Sequence, residues 1–163
     1  RLCRDWSSDV CSSDLLDRLY AFTGERVYHD WAEKTLEAFV GLVPQYGLFA
    51  ATFGLASLLH ARHPLQVVIT GAVGDAQAAA LEKASNETYR FGKTVLRLTP
   101  ERLAAASLAP ALRETLPHLD AAKPHALVCL DATCYPPVAD VAALAELLVS
   151  AGSTPFGASA SSK

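Results

Sequence analysis

The stretch Leu65–Gly71, LQVVITG, decides the fold of this chain. Its four consecutive residues Val67, Val68, Ile69 and Thr70 are all β-branched, and no polar alternation follows Gln66. A short run of this composition predicts a strand that is buried on both faces, as in a parallel sheet. Such a strand needs helices over it, so we expect an α/β unit around this stretch.

The residues after this strand predict alternating helices and strands. Asp75 is placed to cap a helix over residues 76–90, and residues 94–98 and 126–130 predict a second and a third strand. A strand, a helix and a strand in this order predict a right-handed parallel unit. We therefore expect a small, mostly parallel three-stranded α/β subdomain over residues 63–152.

Both ends of this subdomain have their own signals. Asp140 is placed to cap a last helix over residues 141–150, and Gly152 to end it. Residues 153–163, STPFGASASSK, are small and polar, a composition that is typical of a disordered tail.

Two helices are predicted upstream of the sheet. Residues 25–43 place apolar side chains on one face and charged side chains on the other, whereas residues 48–60, LFAATFGLASLLH, are apolar or small almost all round. A helix of the second kind is buried by several neighbours, and this chain need not supply all of them. An amphipathic outer helix paired with an apolar inner one is the repeating unit of a helical toroid. Before them, Gly24 is placed to end an earlier helix in a left-handed cap.

The first 15 residues have a separate interpretation. The peptide DWSSDVCSSDL, residues 5–15, resembles the translation of the adapter oligonucleotide used in short-read DNA sequencing. We therefore interpret residues 1–15 as an artefact and leave them, with Cys3 and Cys11, out of the fold prediction. The natural protein is then expected to extend further upstream.

Composition excludes several classes of partner. The chain of 163 residues is 51% hydrophobic and 19% charged, with a net charge of −3, as in an ordinary globular protein. Because its basic residues are scattered and not interleaved with aromatic ones, we expect no nucleic acid partner. No apolar run approaches the roughly 20 residues of a membrane span. Residues 1–13 lack the apolar centre of a signal peptide, so we expect a reducing, cytoplasmic location.

Cys129 and Cys134 are the first candidate site residues, as redox cysteines. VCLDATC puts one thiol at a strand end and the other in the following loop, but four intervening residues are not the Cys-x-x-Cys spacing of a redox motif. Nearby His118 and His125 form no zinc-ligand pattern with them, so no metal is expected. The alternative is packing, with one buried strand cysteine and one loop cysteine.

Gly71 and Gly74 are the second candidates, for binding a phosphate at the start of the following helix. The turn lacks the glycine-rich fingerprints of nucleotide sites, and glycines in a strand-to-helix turn are more often there for backbone geometry. We expect no cofactor.

The remaining polar residues predict no catalytic site, and the catalytic residues stay unknown. His60 and His63 are expected to cap the end of the apolar helix, and His29 to be solvated. A glycosidase acid pair is not indicated either, because several acids fit the wet face of a helix: Glu25, Glu33 and Glu37.

Four blocks, in this order, resemble a known family: TGERVYHDWAEKTLEAF, YGLFAATFGLASLL, LQVVITG and HALVCLDATCYPPVADVAALAELL. They are similar to the C-terminal region of thioredoxin-domain-containing proteins related to the spermatogenesis-associated thioredoxin protein. The resemblance implies an N-terminal thioredoxin-like domain, absent here, and a six-hairpin (α/α) toroid similar to that of N-acylglucosamine 2-epimerases and six-hairpin glycosidases. Residues 16–62 would then be the last toroid helices.

The resemblance implies a structural, non-catalytic role for this fragment, with the missing N-terminal part of its own chain as partner. The whole protein would be carbohydrate-related or redox-related. Two alternatives stay open: a sugar epimerase or glycosidase-like enzyme, and a small α/β module that binds a ligand or a partner protein.

Overall fold

The computed structural model describes residues 2–62, 65–105, 110–120, 123–130 and 133–151. These residues form a helical half, followed by a half built around one four-stranded sheet. The predicted mixture of helices and sheet is confirmed, whereas the number and direction of the strands differ from the prediction. Gly152 and the predicted tail at 153–163 lie outside the described residues.

The helical half begins with a hairpin. Helices α1 (Leu2–Thr23) and α2 (Arg26–Val40) are joined at Gly24, whose φ is 70° and whose N–H donates to Tyr20 O at 2.7 Å. This is the left-handed cap that the sequence predicts. Ala32 and Leu36 are the buried residues of α2, as its amphipathic pattern requires.

A short helix and a 3-10 turn separate this hairpin from the apolar helix. Helix α3 (Val43–Tyr46) and the turn Gly47–Ala50 lead into α4 (Ala51–His60). Among the described residues α4 buries Ala56 alone of its ten, in keeping with the expectation that this chain need not supply all the neighbours of the apolar helix. Its other faces meet too few neighbours in this part of the chain.

The sheet has the strand order β2-β1-β3-β4. The central strand β1 (Leu65–Thr70) is buried at all six positions and pairs in parallel with β2 (Thr94–Leu98), as predicted. The third strand, β3 (His125–Leu130), pairs with β1 in the antiparallel direction. A fourth strand, β4 (Thr133–Cys134), which the sequence did not predict, pairs with β3. The sheet is therefore mixed, with one parallel pair.

The direction of β3 follows from the connection that precedes it. His125, the first residue of β3, lies opposite Thr70, the last residue of β1. The chain therefore enters β3 at the same end of the sheet at which β1 and β2 finish. Helices α6 (Pro100–Ala105) and α7 (Pro110–Thr115) and the 3-10 turn Leu116–His118 carry the chain along this route. A connection that returns to the same end produces an antiparallel neighbour.

Helices cover both faces of the sheet. On one face, α5 (Ala76–Glu87) and α8 (Val141–Ser150) bury Leu81, Leu144 and Leu148 against Val67 and Ile69. On the other face, Leu112 of α7 and Leu116 pack with Val68 and Leu127. Strand β1 is buried on both faces for this reason.

The helix starts confirm two predicted caps. Asp75 accepts the N–H of Ala78 at 2.9 Å, and Asp140 accepts that of Ala143 at 2.9 Å. Among the residues described, no helix combines the length and the apolar composition that crossing a membrane requires.

The helical half contacts the sheet through Gln66, which is 5% exposed and donates from Nε2 to Ala21 O of α1 at 3.1 Å. The contact satisfies the one polar side chain of β1 before its β-branched run. It also brings α1 alongside the start of β2, where the candidate site lies.

Candidate functional site

The candidate site lies where α1, α2 and α4 meet beside the start of β2. Asp17 belongs to α1, His29 lies in the first turn of α2, and His60 is the last residue of α4. The turn at Gly24 folds α2 back along α1, and α4 packs against both helices. Three side chains that are far apart in sequence therefore meet.

One carboxylate oxygen joins the two histidines. Asp17 Oδ1 lies 3.2 Å from Nδ1 of His29 and 3.0 Å from Nδ1 of His60. The two imidazole rings stack, with centroids 4.1 Å apart and planes 14° apart. Asp17 is 7% exposed, and a carboxylate removed from water needs partners that replace its lost solvation. The two imidazoles are such partners.

A cavity of about 30 Å³ adjoins this group, and Thr94 at the start of β2 forms part of its wall. Two oxygens of the wall residues, Asp17 Oδ2 and Thr94 Oγ1, are buried and have no hydrogen-bond partner within the described part of the chain. Thr94 is 5% exposed. Buried polar atoms are nearly always hydrogen-bonded in folded proteins, so this pair indicates a place for a small polar ligand or a water.

The chemistry of the site is that of two imidazoles and a carboxylate. One donor atom from each of Asp17, His29 and His60 lies within 4.8 Å of those of the other two. This donor set is suited to coordinating a divalent transition metal, and imidazoles held by a carboxylate are also suited to moving protons.

This group was not predicted from the sequence, and the expectation that His29 is solvated was wrong. His29 is half-buried and not solvated: its Nδ1 contacts Asp17, and its ring centroid lies 5.0 Å from that of Tyr20. His60 does lie in the last turn of α4, but its Nδ1 contacts Asp17. His63 lies outside the described residues.

The separations of 12 and 43 positions from Asp17 explain why no short motif could reveal the site. One signal was available. His29 lies at the start of α2 and His60 at the end of α4. A helical hairpin followed by a third helix brings these two ends together beside the helix that carries Asp17.

Cys129 and Cys134 are brought together by the sheet register. They lie opposite each other on β3 and β4 and are joined by a disulfide. The expectation of a strand cysteine and a loop cysteine without a bond is thus corrected, because β4 was not predicted. A redox role for the pair stays a prediction.

Gly71 and Gly74 both have positive φ, 135° and 81°, so each occupies a conformation that favours glycine. A Cβ on Gly71 would lie 2.9 Å from that of Ala78, whereas one on Gly74 would meet open space. Backbone geometry accounts for Gly71, and phosphate binding by either residue stays a prediction.

The other polar candidates are not part of the site. Glu25, Glu33 and Glu37 are exposed, in agreement with the predicted wet face of α2. His118 is exposed, and Nδ1 of the half-buried His125 lies 3.2 Å from Lys123 O.

Comparison of the chain with protein-family models, with curated proteins and with solved structures gives no match.

Proposed function

We propose that this chain is the C-terminal structural part of a longer thioredoxin-domain-containing (α/α)-toroid protein, and that the missing N-terminal part of the same chain packs on its helical half. The observation that carries the proposal is an apolar stripe on α4 and the turn before it. The resemblance of residues 16–150 to that family supports the choice of partner.

The apolar stripe consists of Leu48, Ala51, Leu55 and Leu58, which recur at three- and four-residue intervals and so share one helix face. Leu48 is 93% exposed, Leu55 56% and Leu58 40%. Burying a leucine side chain stabilises a protein by about 1.5–3 kcal/mol. A face of three exposed leucines is therefore a strong candidate for contact with another apolar surface.

The chemistry of the stripe favours a helix as the occupant. None of its four residues is charged, which suits an apolar helix face and not a nucleic acid or a charged peptide. Helix α2 adds the exposed side chains of Val27 and Trp31, 39% and 51% exposed, so apolar surface is present on both helices. In a toroid, apolar inner helices pack against the preceding and following hairpins, which is the arrangement proposed here.

The remaining expectations belong to the whole protein. We propose, from the family resemblance, that it is cytoplasmic and carbohydrate-related or redox-related, with this part contributing packing. In a reducing cytoplasm the Cys129–Cys134 disulfide would depend on local redox conditions, since cytosolic disulfides are usually transient or regulatory.

The test compares two proteins that carry the same substitutions. Leu55→Glu with Leu58→Glu is introduced into the 163-residue chain and into the intact protein encoded by the recovered gene, with Val73→Glu as control. Val73 is 85% exposed and lies away from the stripe in the turn before α5.

In the intact protein the double variant should lower the free energy of unfolding by at least about 3 kcal/mol, because two buried leucines become charged. In the 163-residue chain the loss should be less than half as large, because both leucines are already partly exposed there, and self-association should fall. Val73→Glu should be nearly neutral in both proteins. Equal effects of the double variant in the two proteins would contradict the proposal.

A further inference from the structure

Asp17, His29 and His60 present more donor atoms than their mutual hydrogen bonds use. Both contacts converge on the same oxygen, Asp17 Oδ1, and each uses Nδ1 of a ring. The second oxygen of this carboxylate is buried without a partner among the described residues. An acceptor left unpaired in this way costs about 1–3 kcal/mol, so a ligand that engages it would stabilise the fold.

The donor atoms also have a spacing that suits a metal. Zn²⁺ bound to nitrogen and oxygen at about 2.0–2.1 Å in a tetrahedron holds its ligand atoms about 3.3 Å apart. The contacts of Asp17 Oδ1 with the two histidines, 3.2 and 3.0 Å, are close to such an edge length. Binding an ion through these atoms would replace the two hydrogen bonds, with the proton of each neutral imidazole on Nε2.

We propose that Asp17, His29 and His60 bind a divalent transition-metal ion, with Zn²⁺ as the best fit, and leave one coordination position open toward the adjoining cavity. Imidazole selects transition metals over Mg²⁺ and Ca²⁺, which prefer oxygen ligands. Three protein ligands with an open fourth position are typical of zinc sites that hold a water or a substrate.

The cavity provides the surroundings for that open position. At about 30 Å³ it accommodates a metal-bound water, and Thr94 Oγ1 is a buried group in its wall that lacks a partner among the described residues. A water on the metal would give this hydroxyl its hydrogen bond.

Two arginine side chains in the cavity wall favour a negative charge on the fourth ligand. Arg18 and Arg62 line the same cavity. Arg18 forms an exposed pair with Asp14, and the guanidinium of Arg62 lies 5.8 Å from the ring centre of Phe91. Their charges disfavour a bare cation and favour one that carries an anion, so the open position should prefer hydroxide, a carboxylate or a phosphate to a neutral ligand.

The loop before β2 closes the cavity on one side. Gly92 has a φ of 73°, and a Cβ there would lie 2.8 Å from Leu59 Cδ1 beside His60. Glycine thus allows this loop to approach the end of α4, which keeps the cavity small.

The experiment uses the untagged 163-residue chain with Cys3→Ser and Cys11→Ser, so that neither added histidines nor thiols outside the site bind the ion. The oxidised chain is treated with a chelator, dialysed and titrated with Zn²⁺ and with Co²⁺, whose visible absorption reports its ligands. The variants are Asp17→Asn, His29→Gln and His60→Gln. His118→Gln and His125→Gln are the matched controls.

We expect one Zn²⁺ per chain and a Co²⁺ spectrum typical of four-coordinate nitrogen and oxygen ligation. Each of the three site variants should weaken binding by at least about 10–100-fold, the effect usual for even an outer-shell change, and both controls should bind as the parent chain does. Binding that survives His29→Gln and His60→Gln, or no one-to-one binding in the parent chain, would overturn the proposal.

A second measurement covers the case in which a site variant does not fold. In the parent chain, long-range ¹H–¹⁵N spectra of the imidazoles should show Zn²⁺-dependent shifts of the ring nitrogens of His29 and His60. The ring nitrogens of His118 and His125 should not move. Unchanged signals from His29 and His60 at saturating Zn²⁺ would overturn the proposal without any substitution.

Discussion

The imidazole rings of His29 and His60 stack with their centroids 4.1 Å apart, and both face the carboxylate of Asp17. The two histidines belong to different helices, so the stacked rings form a direct contact between α2 and α4. Because the joining carboxylate is buried, the group contributes to the packing of the helical half whether or not a ligand is present.

Asp17→Asn should destabilise the chain in the absence of metal. The amide keeps the size of the carboxylate but removes the charge that strengthens both hydrogen bonds from the imidazoles, which is typically a loss of about 1–3 kcal/mol. Urea denaturation of the chelator-treated chain measures it. Asp30→Asn, at an exposed position of α2, is the control. Equal stability of the two variants would show that the buried carboxylate contributes nothing.

The Cys129–Cys134 disulfide should stabilise the sheet edge by about 2 kcal/mol, as the short loop it closes predicts. In a Cys3→Ser and Cys11→Ser background, reductant should lower the unfolding midpoint of the chain and leave that of a Cys129→Ala and Cys134→Ala variant unchanged. A thiol assay on the unfolded, unreduced chain should detect no free thiol. Two free thiols per chain would contradict the bond.

Leu81→Ala should destabilise the chain by about 2–5 kcal/mol, because Leu81 is fully buried between α5 and the sheet. Leu58→Ala removes the same atoms from a side chain that is 40% exposed and should cost less than half as much. Thermal and urea unfolding compare the two variants. Similar losses would mean that the apolar stripe is already covered in this chain.

Gly71→Ala should destabilise the chain more than Gly74→Ala. Both positions have positive φ, which costs a residue with a Cβ about 1–2 kcal/mol, but only at Gly71 does the added atom meet Ala78 and the backbone of Pro124. Urea denaturation of both variants gives the difference. The opposite order would show that the turn adopts another conformation.

Lys93 should make the stability of the chain depend on alkaline pH. Its ammonium donates to the carbonyl oxygens of Ser85 and Thr88 at the end of α5, and burial lowers the pKa of Lys93 from its ordinary value of 10.5. Between the lowered pKa and 10.5 the unfolded chain binds the proton more tightly, so this shift makes stability rise with pH.

Lys93→Met removes this titration. The free energy of unfolding of the parent chain, relative to the variant, should increase as the pH rises toward 10.5, the ordinary pKa of lysine. Lys83→Met, at an exposed position of α5, serves as control and should follow the parent chain. Parallel pH profiles of the parent chain and Lys93→Met would contradict the predicted shift.

Local signals predicted much of the α/β half. The β-branched run of β1 and the capping carboxylates of Asp75 and Asp140 act through their own and neighbouring backbone, so the sequence contains their full explanation. The direction of β3 depends instead on where the chain returns after α7, which no local pattern determines. For the same reason β4 and the partner of Cys134 were missed.

The candidate site was not predictable from spacing. Asp17, His29 and His60 each have an ordinary local reading, as a helix residue, a surface residue and a helix-terminal residue. Their meeting depends on the angle of the hairpin and on α4 packing across it, which are tertiary properties. Because Asp17 is buried beside them, the two histidines contact a carboxylate instead of solvent.

Long-read sequencing of the gene across the codons near Leu16 tests most directly the claim that this chain is the end of a longer toroid protein. We predict that the open reading frame continues upstream of Leu16 into further helical hairpins and a thioredoxin-like domain, without the codons for residues 1–15. A start codon close to Leu16 would contradict the claim, and the small α/β binding module would then be the function to test.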